Sequence, residues 1–215
     1  MLGNDSTLPI TLDEMIVYAR GVARCCQRAL VVCDMPFGSY QVSPEEGVRN
    51  AVRLIRETGV DAVKLEGGEE VAPTIERIVN AGIPVVGHLG LTPQSIHKLG
   101  GYGVRARSEV EATKLIADAQ ALEKAGCFAV VLEKIPASVA QQVTEQLSVP
   151  TIGIGAGSHC DGQVLVYADA MGLTQGFEPK FLREFAAMGE ELRRGVRAYC
   201  EAVKGDEFPN ESESY

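Results

Sequence analysis

Residues with the types and spacing for chemistry stand where apolar runs end. In AVKLEGG (62–68), Lys64 interrupts such a run and Glu66 closes it, just before a double glycine. Side chains alternate along a strand, so Ala62, Lys64 and Glu66 share one face and Val63 and Leu65 the other. Lys64 and Glu66 then stand about 7 Å apart by strand rise. A plain strand-end ion pair is the structural alternative. The run before it, VVCDMPFGSY, delivers Asp34, with Pro36 and Gly38 turning the chain outward. Two carboxylates from consecutive strands repel unless a proton or a cation separates them. Hard oxygen donors with no thiol or imidazole cluster suit Mg²⁺, so Asp34 and Glu66 are candidate metal ligands.

Glu133 closes FAVVLEKI (128–135) after an apolar stretch. Partial desolvation there raises a carboxyl pKa and suits a general base. The alternative is a salt bridge to Lys134, although adjacent strand residues point to opposite faces. His88 ends its run in VVGHLGLTPQS, either as a substrate contact or as a hydrogen-bonded structural residue, and His97 and His159 read as structural. TIGIGAG repeats glycine at 153, 155 and 157, unlike the G-x-G-x-x-G dinucleotide fingerprint. Such spacing clears one strand face for a flat ligand or another backbone.

These residues need elements to hold them. Strand-like runs at 29–35, 61–67, 83–90, 128–135, 149–157 and 162–169 alternate with amphipathic stretches. Thr11 with Glu14, Ser43 with Glu46 and Ser108 with Glu111 each predict a helix-opening capping box. Pro44 suits a first helical position, and Gly59, Gly82 and Gly126 suit helix ends. A last long helix is expected over 179–204, then a polar tail over 205–215. The alternation implies crossover connections and a parallel α/β sheet within a single domain, 1–215. A doubly wound sheet and a (β/α)₈ barrel both fit. Asp34, Glu66, His88, Glu133 and the Gly155/Gly157 pair close five successive strands, which favours the barrel rim. Only six strands can be counted against eight, so one or two N-terminal βα units are expected to be missing from this chain.

The 215 residues are 46% hydrophobic, with a formal charge of −9. Acidity disfavours a nucleic-acid partner. The apolar runs are strand-sized, which argues against a membrane span. The opening MLGNDSTLPITLDEM has no basic region and no apolar signal core. Six scattered cysteines without a C-x-x-C pair read as reduced thiols, pointing to a cytoplasmic protein.

Taken together, DSTLPITLDEM, DMPFGSY, VKLEGGEE, GHLGLTPQS, GGYGVRAR, VPTIGIGAG, CDGQVLV and GFEPKF closely resemble the ketopantoate hydroxymethyltransferase family over essentially the whole chain. The resemblance implies a (β/α)₈ TIM barrel that assembles into homodecamers or similar rings and acts on the route to pantothenate and coenzyme A. It implies that 3-methyl-2-oxobutanoate binds Mg²⁺ through its keto and carboxylate oxygens and loses a proton to a base. The resulting enolate would attack the methylene group of 5,10-methylenetetrahydrofolate. By motif, Asp34 would be metal ligand and substrate contact, Glu66 a metal ligand, Lys64 a substrate-binding residue, Glu133 the proton acceptor and His88 a pocket residue.

The resemblance also implies an earlier segment, ending in a GDS motif, that supplies the first two strands, the principal Asp ligand of the metal and a substrate-binding Ser. Lys134, Gly103 and Ala106 depart from the family pattern in detail. Two alternatives stand beside this reading. One is a Mg²⁺-dependent carbon–carbon lyase or mutase of the phosphoenolpyruvate/isocitrate-lyase barrel group. The other is a non-catalytic, truncated barrel subunit.

Overall fold

The computed structural model describes residues 3–215. The chain forms two compact units, one ending at Gln163 and one spanning Val164–Tyr215. The first holds six parallel strands: β1 (Val32–Asp34), β2 (Ala62–Glu66), β3 (Val85–Gly90), β4 (Ala129–Glu133), β5 (Thr151–Ile154) and β6 (Gly162–Gln163). They neighbour one another in sequence order, β1 to β6. A doubly wound sheet reverses its strand order at a switch point, whereas a barrel never does. The sheet is therefore a curled half-barrel of the (β/α)₈ type.

Helices α1 (Leu12–Cys25), α2 (Pro44–Thr58), α3 (Ala72–Asn80), α4 (Ile96–Leu99), α5 (Glu109–Lys124) and α6 (Ala137–Gln146) fill the crossovers. Thr11, Ser43 and Ser108 accept from the main-chain N–H three residues on, as their spacing predicts. Of these three, only Thr11 completes the reciprocal box. At the third, the Glu111 carboxylate takes the Arg107 N–H instead. Gly59, Gly82 and Gly126 all have positive φ at helix ends.

The two faces of the sheet bury different sets. Val63, Leu65, Val85, Val130 and Leu132 face outward and pack with helix residues such as Leu54, Ile75, Ile78 and Leu122. A smaller inner cluster joins Val86, Ala129 and Val131 with Val32, Ile152 and Ile154. By strand parity Asp34, Lys64, Glu66, His88 and Glu133 continue that inner face toward the carboxyl ends.

Three expected elements change. The strand expected over 149–157 stops at Ile154, and Gly155 and Gly157 turn the chain at φ +64° and +82°. A Cβ on Gly157 would lie 2.4 Å from the Ala137 Cβ, so that glycine admits the start of α6. The strand expected over 162–169 pairs only at Gly162–Gln163. Beyond it, Tyr167–Ala170 forms one helical turn, α7, as the Ala170 N–H bonds the Val166 carbonyl. The last helix, α8, runs from Met188 to Lys204 instead of starting near 179. The N–H groups of Phe185, Met188 and Gly189 donate to Ala170, Met171 and Gly172, so the stretch before Met188 is held by distant carbonyls.

Candidate active site

The site is built where β1 to β4 end. Register sets Asp34 opposite Lys64, Glu66 opposite His88 and Gly90 opposite Glu133. The Lys64 Nζ lies 3.2 Å from Asp34 Oδ1 and 3.0 Å from His88 Nδ1. On the other side of the ring, His88 Nε2 lies 3.2 Å from Glu133 Oε2. Nδ1 is also 3.8 Å from Glu66 Oε1. Lys64, Glu66 and Glu133 thus surround the His88 imidazole, and Asp34 joins them through Lys64.

The ring is buried, 3% exposed. Burial, and then the Lys64 charge, push its pKa well below the usual 6.5, against a smaller opposing influence of the Leu91 main chain. His88 is therefore neutral, and its contacts with Glu66 and Glu133 are not ion pairs. An ammonium only donates, so Nδ1 must accept from Lys64 and the ring proton sits on Nε2. Despite its 3.2 Å approach to Glu133, Nε2 is out of line for a hydrogen bond and is a buried atom without a bonded partner.

The two buried carboxyls are held high. Burial raises Glu66 to about 7, offset in part by the Lys64 charge and the Gln94 N–H. Burial likewise raises Glu133 to about 7, again against Lys64. Lys134 does not pair with Glu133. Its φ is +52°, and its ammonium instead donates to the Tyr102 carbonyl.

Sequence reasoning missed two supporting residues. Tyr40 Oη accepts from the Glu66 N–H at 3.1 Å and donates to Gln94 Oε1 at 2.9 Å. The Gln94 N–H holds Glu66 Oε2 at 2.9 Å, while its side-chain amide reaches the Met35 carbonyl at 2.8 Å. Their only signal is a tyrosine and a glutamine in the turns after β1 and β3.

Do these residues suit Mg²⁺? Among the described residues no three His, Cys, Asp or Glu side chains gather to hold an ion. Mg²⁺ needs only one or two carboxylates, the rest being water and substrate oxygens. Glu66 Oε1 faces an Nδ1 that has no proton to give, and Asp34 is half-exposed with only Oδ1 paired. Both keep an oxygen free for a hard cation, so the donor set fits. A separate cavity of about 240 Å³, lined by Leu89, Arg105, Leu115 and Asp118, touches none of the five residues and lies apart from this chemistry.

A raised carboxyl beside a fixed ammonium can take a proton from a carbon acid whose anionic end the ammonium holds. Comparisons with known proteins bear on the family and the fold. The family model for ketopantoate hydroxymethyltransferase matches residues 1–211. A Parabacteroides distasonis protein named 3-methyl-2-oxobutanoate hydroxymethyltransferase is 58% identical over 215 residues, covering 100% of this chain and 79% of the relative. A Corynebacterium glutamicum protein of the same name is also 58% identical, with 80% of its length covered. Among solved structures, phosphonopyruvate hydrolase aligns with a TM-score of 0.54 at 14% identity, covering 96% of this chain and 71% of that one. A phosphonomutase-group protein of Burkholderia cenocepacia J2315 aligns at 0.56 and 12%, covering 91% and 79%. At such identities these two structures bear on the fold alone.

Proposed function

This chain belongs to the ketopantoate hydroxymethyltransferase family, and on that premise we propose that it converts 3-methyl-2-oxobutanoate, 5,10-methylenetetrahydrofolate and water to ketopantoate and tetrahydrofolate. The observation that carries the reading is the pairing of Lys64 and Glu133 across His88 at one strand-end rim. Lys64 binds the substrate carboxylate. Glu133 takes the proton from the branched carbon beside the keto group, and its raised pKa fits that work near neutral pH. Asp34 and Glu66 would hold Mg²⁺. When bound, the cation supplies Lewis acidity toward the keto oxygen, worth several kcal/mol. Asp34 also keeps the Lys64 ammonium in place from β1. The chain is read as a cytoplasmic enzyme working in a homo-oligomeric ring, with no nucleic-acid or membrane partner. No described helix is long and apolar enough to cross a membrane, and the exposed apolar row of α8 supports self-association.

The test is proton exchange at that carbon in D₂O, followed by NMR with Mg²⁺ present and folate absent. A positioned general base contributes about 10²- to 10⁴-fold, so Glu133→Gln should slow exchange by that order while Mg²⁺ still binds. Exchange at the wild-type rate would remove Glu133 from the role of base.

A further inference from the structure

We propose that His88 is a positioning residue that orients Glu133 from Nε2 while its Nδ1 accepts from Lys64, and that it does not contact the substrate. The inference rests on Glu133 being the base. It is carried by three facts about the ring. First, both nitrogens face protein side chains, Lys64 at 3.0 Å and Glu133 at 3.2 Å, and the ring is 3% exposed. Nε2 has essentially no solvent-accessible surface, so the ring offers no open edge to a substrate. Second, Lys64 has only protons to offer, which puts the ring proton on Nε2, the nitrogen nearer Glu133. Third, Nε2 is the buried side-chain polar atom that lacks a hydrogen bond among the described residues. A buried donor so close to a carboxylate gains by aligning with it. Catalytic hydrogen bonds are often poorly aligned before substrate binds and tighten in the reacting complex.

The result is a line of side chains from three strands and a fourth. Asp34 on β1 holds Lys64 on β2, Lys64 holds His88 on β3, and His88 faces Glu133 on β4. The residue that binds the substrate's charge and the residue that takes its proton are thereby tied to one rigid ring. A flexible link at position 88 would let Glu133 swing between rotamers, and misplacement of a reacting group by about 1 Å costs on the order of 10²-fold.

The experiment combines tautomer and rate. The chain has three histidines, and His97 and His159 are exposed, so ¹⁵N NMR of the imidazoles can assign His88 by the signal lost in His88→Gln. We expect the neutral Nε2–H form. A proton on Nδ1, or a cationic ring at neutral pH, overturns the proposal. In kinetics, His88→Asn keeps an acceptor near Nδ1 but loses the donor toward Glu133, whereas His88→Gln can place an N–H near Nε2. We expect His88→Asn to lower the exchange rate and kcat by 10- to 100-fold with KM for 3-methyl-2-oxobutanoate within twofold, and His88→Gln to recover part of the loss. A raised KM with unchanged kcat would make His88 a substrate contact and overturn the proposal. Adding His88→Asn to Glu133→Gln should cost no further rate, because the two act as a unit; a full additional loss would overturn it. If exchange survives Glu133→Gln itself, the base assignment fails, while the NMR tautomer separately decides how the ring is held. Urea unfolding of each variant checks that the fold persists.

Discussion

At the scale of single residues, Glu133 has two pH-dependent properties of opposite sign. Its carboxyl is raised to about 7 by burial, from an ordinary 4.5. As a base it works ionised, so the exchange rate should climb with pH through about 7 and then level. Folding responds the other way. Between about 4.5 and 7 the native carboxyl binds more protons than the unfolded one, so stability falls as pH rises through that window. Glu133→Gln removes this contribution, and its stability should gain on the wild type as pH rises from 5 to 8. Urea unfolding at both pH values checks the sign; an unchanged difference between the two proteins would show that Glu133 titrates normally. Lys64, Glu66 and Glu133 were legible in sequence because charge at alternate positions near a strand end has few structural uses. The centrality of His88 was not legible, since a lone histidine gives no sign that its partners lie on β2 and β4. Tyr40 and Gln94 were hidden because they act largely on the main chain and carboxylate of Glu66, and no local spacing encodes that.

Among the elements, the tightest joint beside the site is the end of β3. Gly90 has φ +94°, and an added Cβ would lie 2.2 Å from the Glu133 carbonyl oxygen. The obstacle is backbone, so no side-chain rotation relieves it. The next residue, Leu91, donates its N–H to that same carbonyl at 2.8 Å. Gly90→Ala should therefore cost roughly 2–4 kcal/mol from left-handed strain and overpacking together, and the shift of β4 should lower exchange activity as well. Gly59→Ala is the comparison. It also has positive φ, +79°, but open space around it and no part in the site. It should cost about 1–2 kcal/mol with activity unchanged. Denaturant midpoints and exchange rates on both variants separate the joint from simple strain; equal effects would remove Gly90 from any special role. Helix starts and ends were legible because caps are local chemistry, as at Thr11 and Gly59. The strand expected over 162–169 was misread because the N–H groups of Asp169 to Thr174 bond carbonyls three to six residues back. The start of the last helix was misread because Phe185, Met188 and Gly189 bond carbonyls at 170–172, which periodicity does not register.

On the scale of the whole molecule, the strand order was legible once alternation and strand-end chemistry were combined, because reactive groups closing five successive strands favour a barrel rim over a single crevice. Assembly is less legible, yet α8 offers a concrete handle. Leu192, Val196, Tyr199 and Val203 recur at spacings of four, three and four, which places them on one helical stripe. All four are exposed, Leu192 at 64%. Apolar rows of this kind mark interaction surfaces more often than solvated ones, and the proposed ring would cover this one with another copy of the chain. Burying each such side chain is worth about 1.5–3 kcal/mol, so a charge placed in the stripe should undo association without touching the strand-end site. Leu192→Glu with Val196→Glu should lower the mass measured by light scattering to that of a smaller species. Cooperative unfolding should persist, because neither side chain is part of a buried core. An unchanged mass would assign the stripe no part in assembly and leave self-association to other surfaces, such as the exposed Val17 and Val22 of α1.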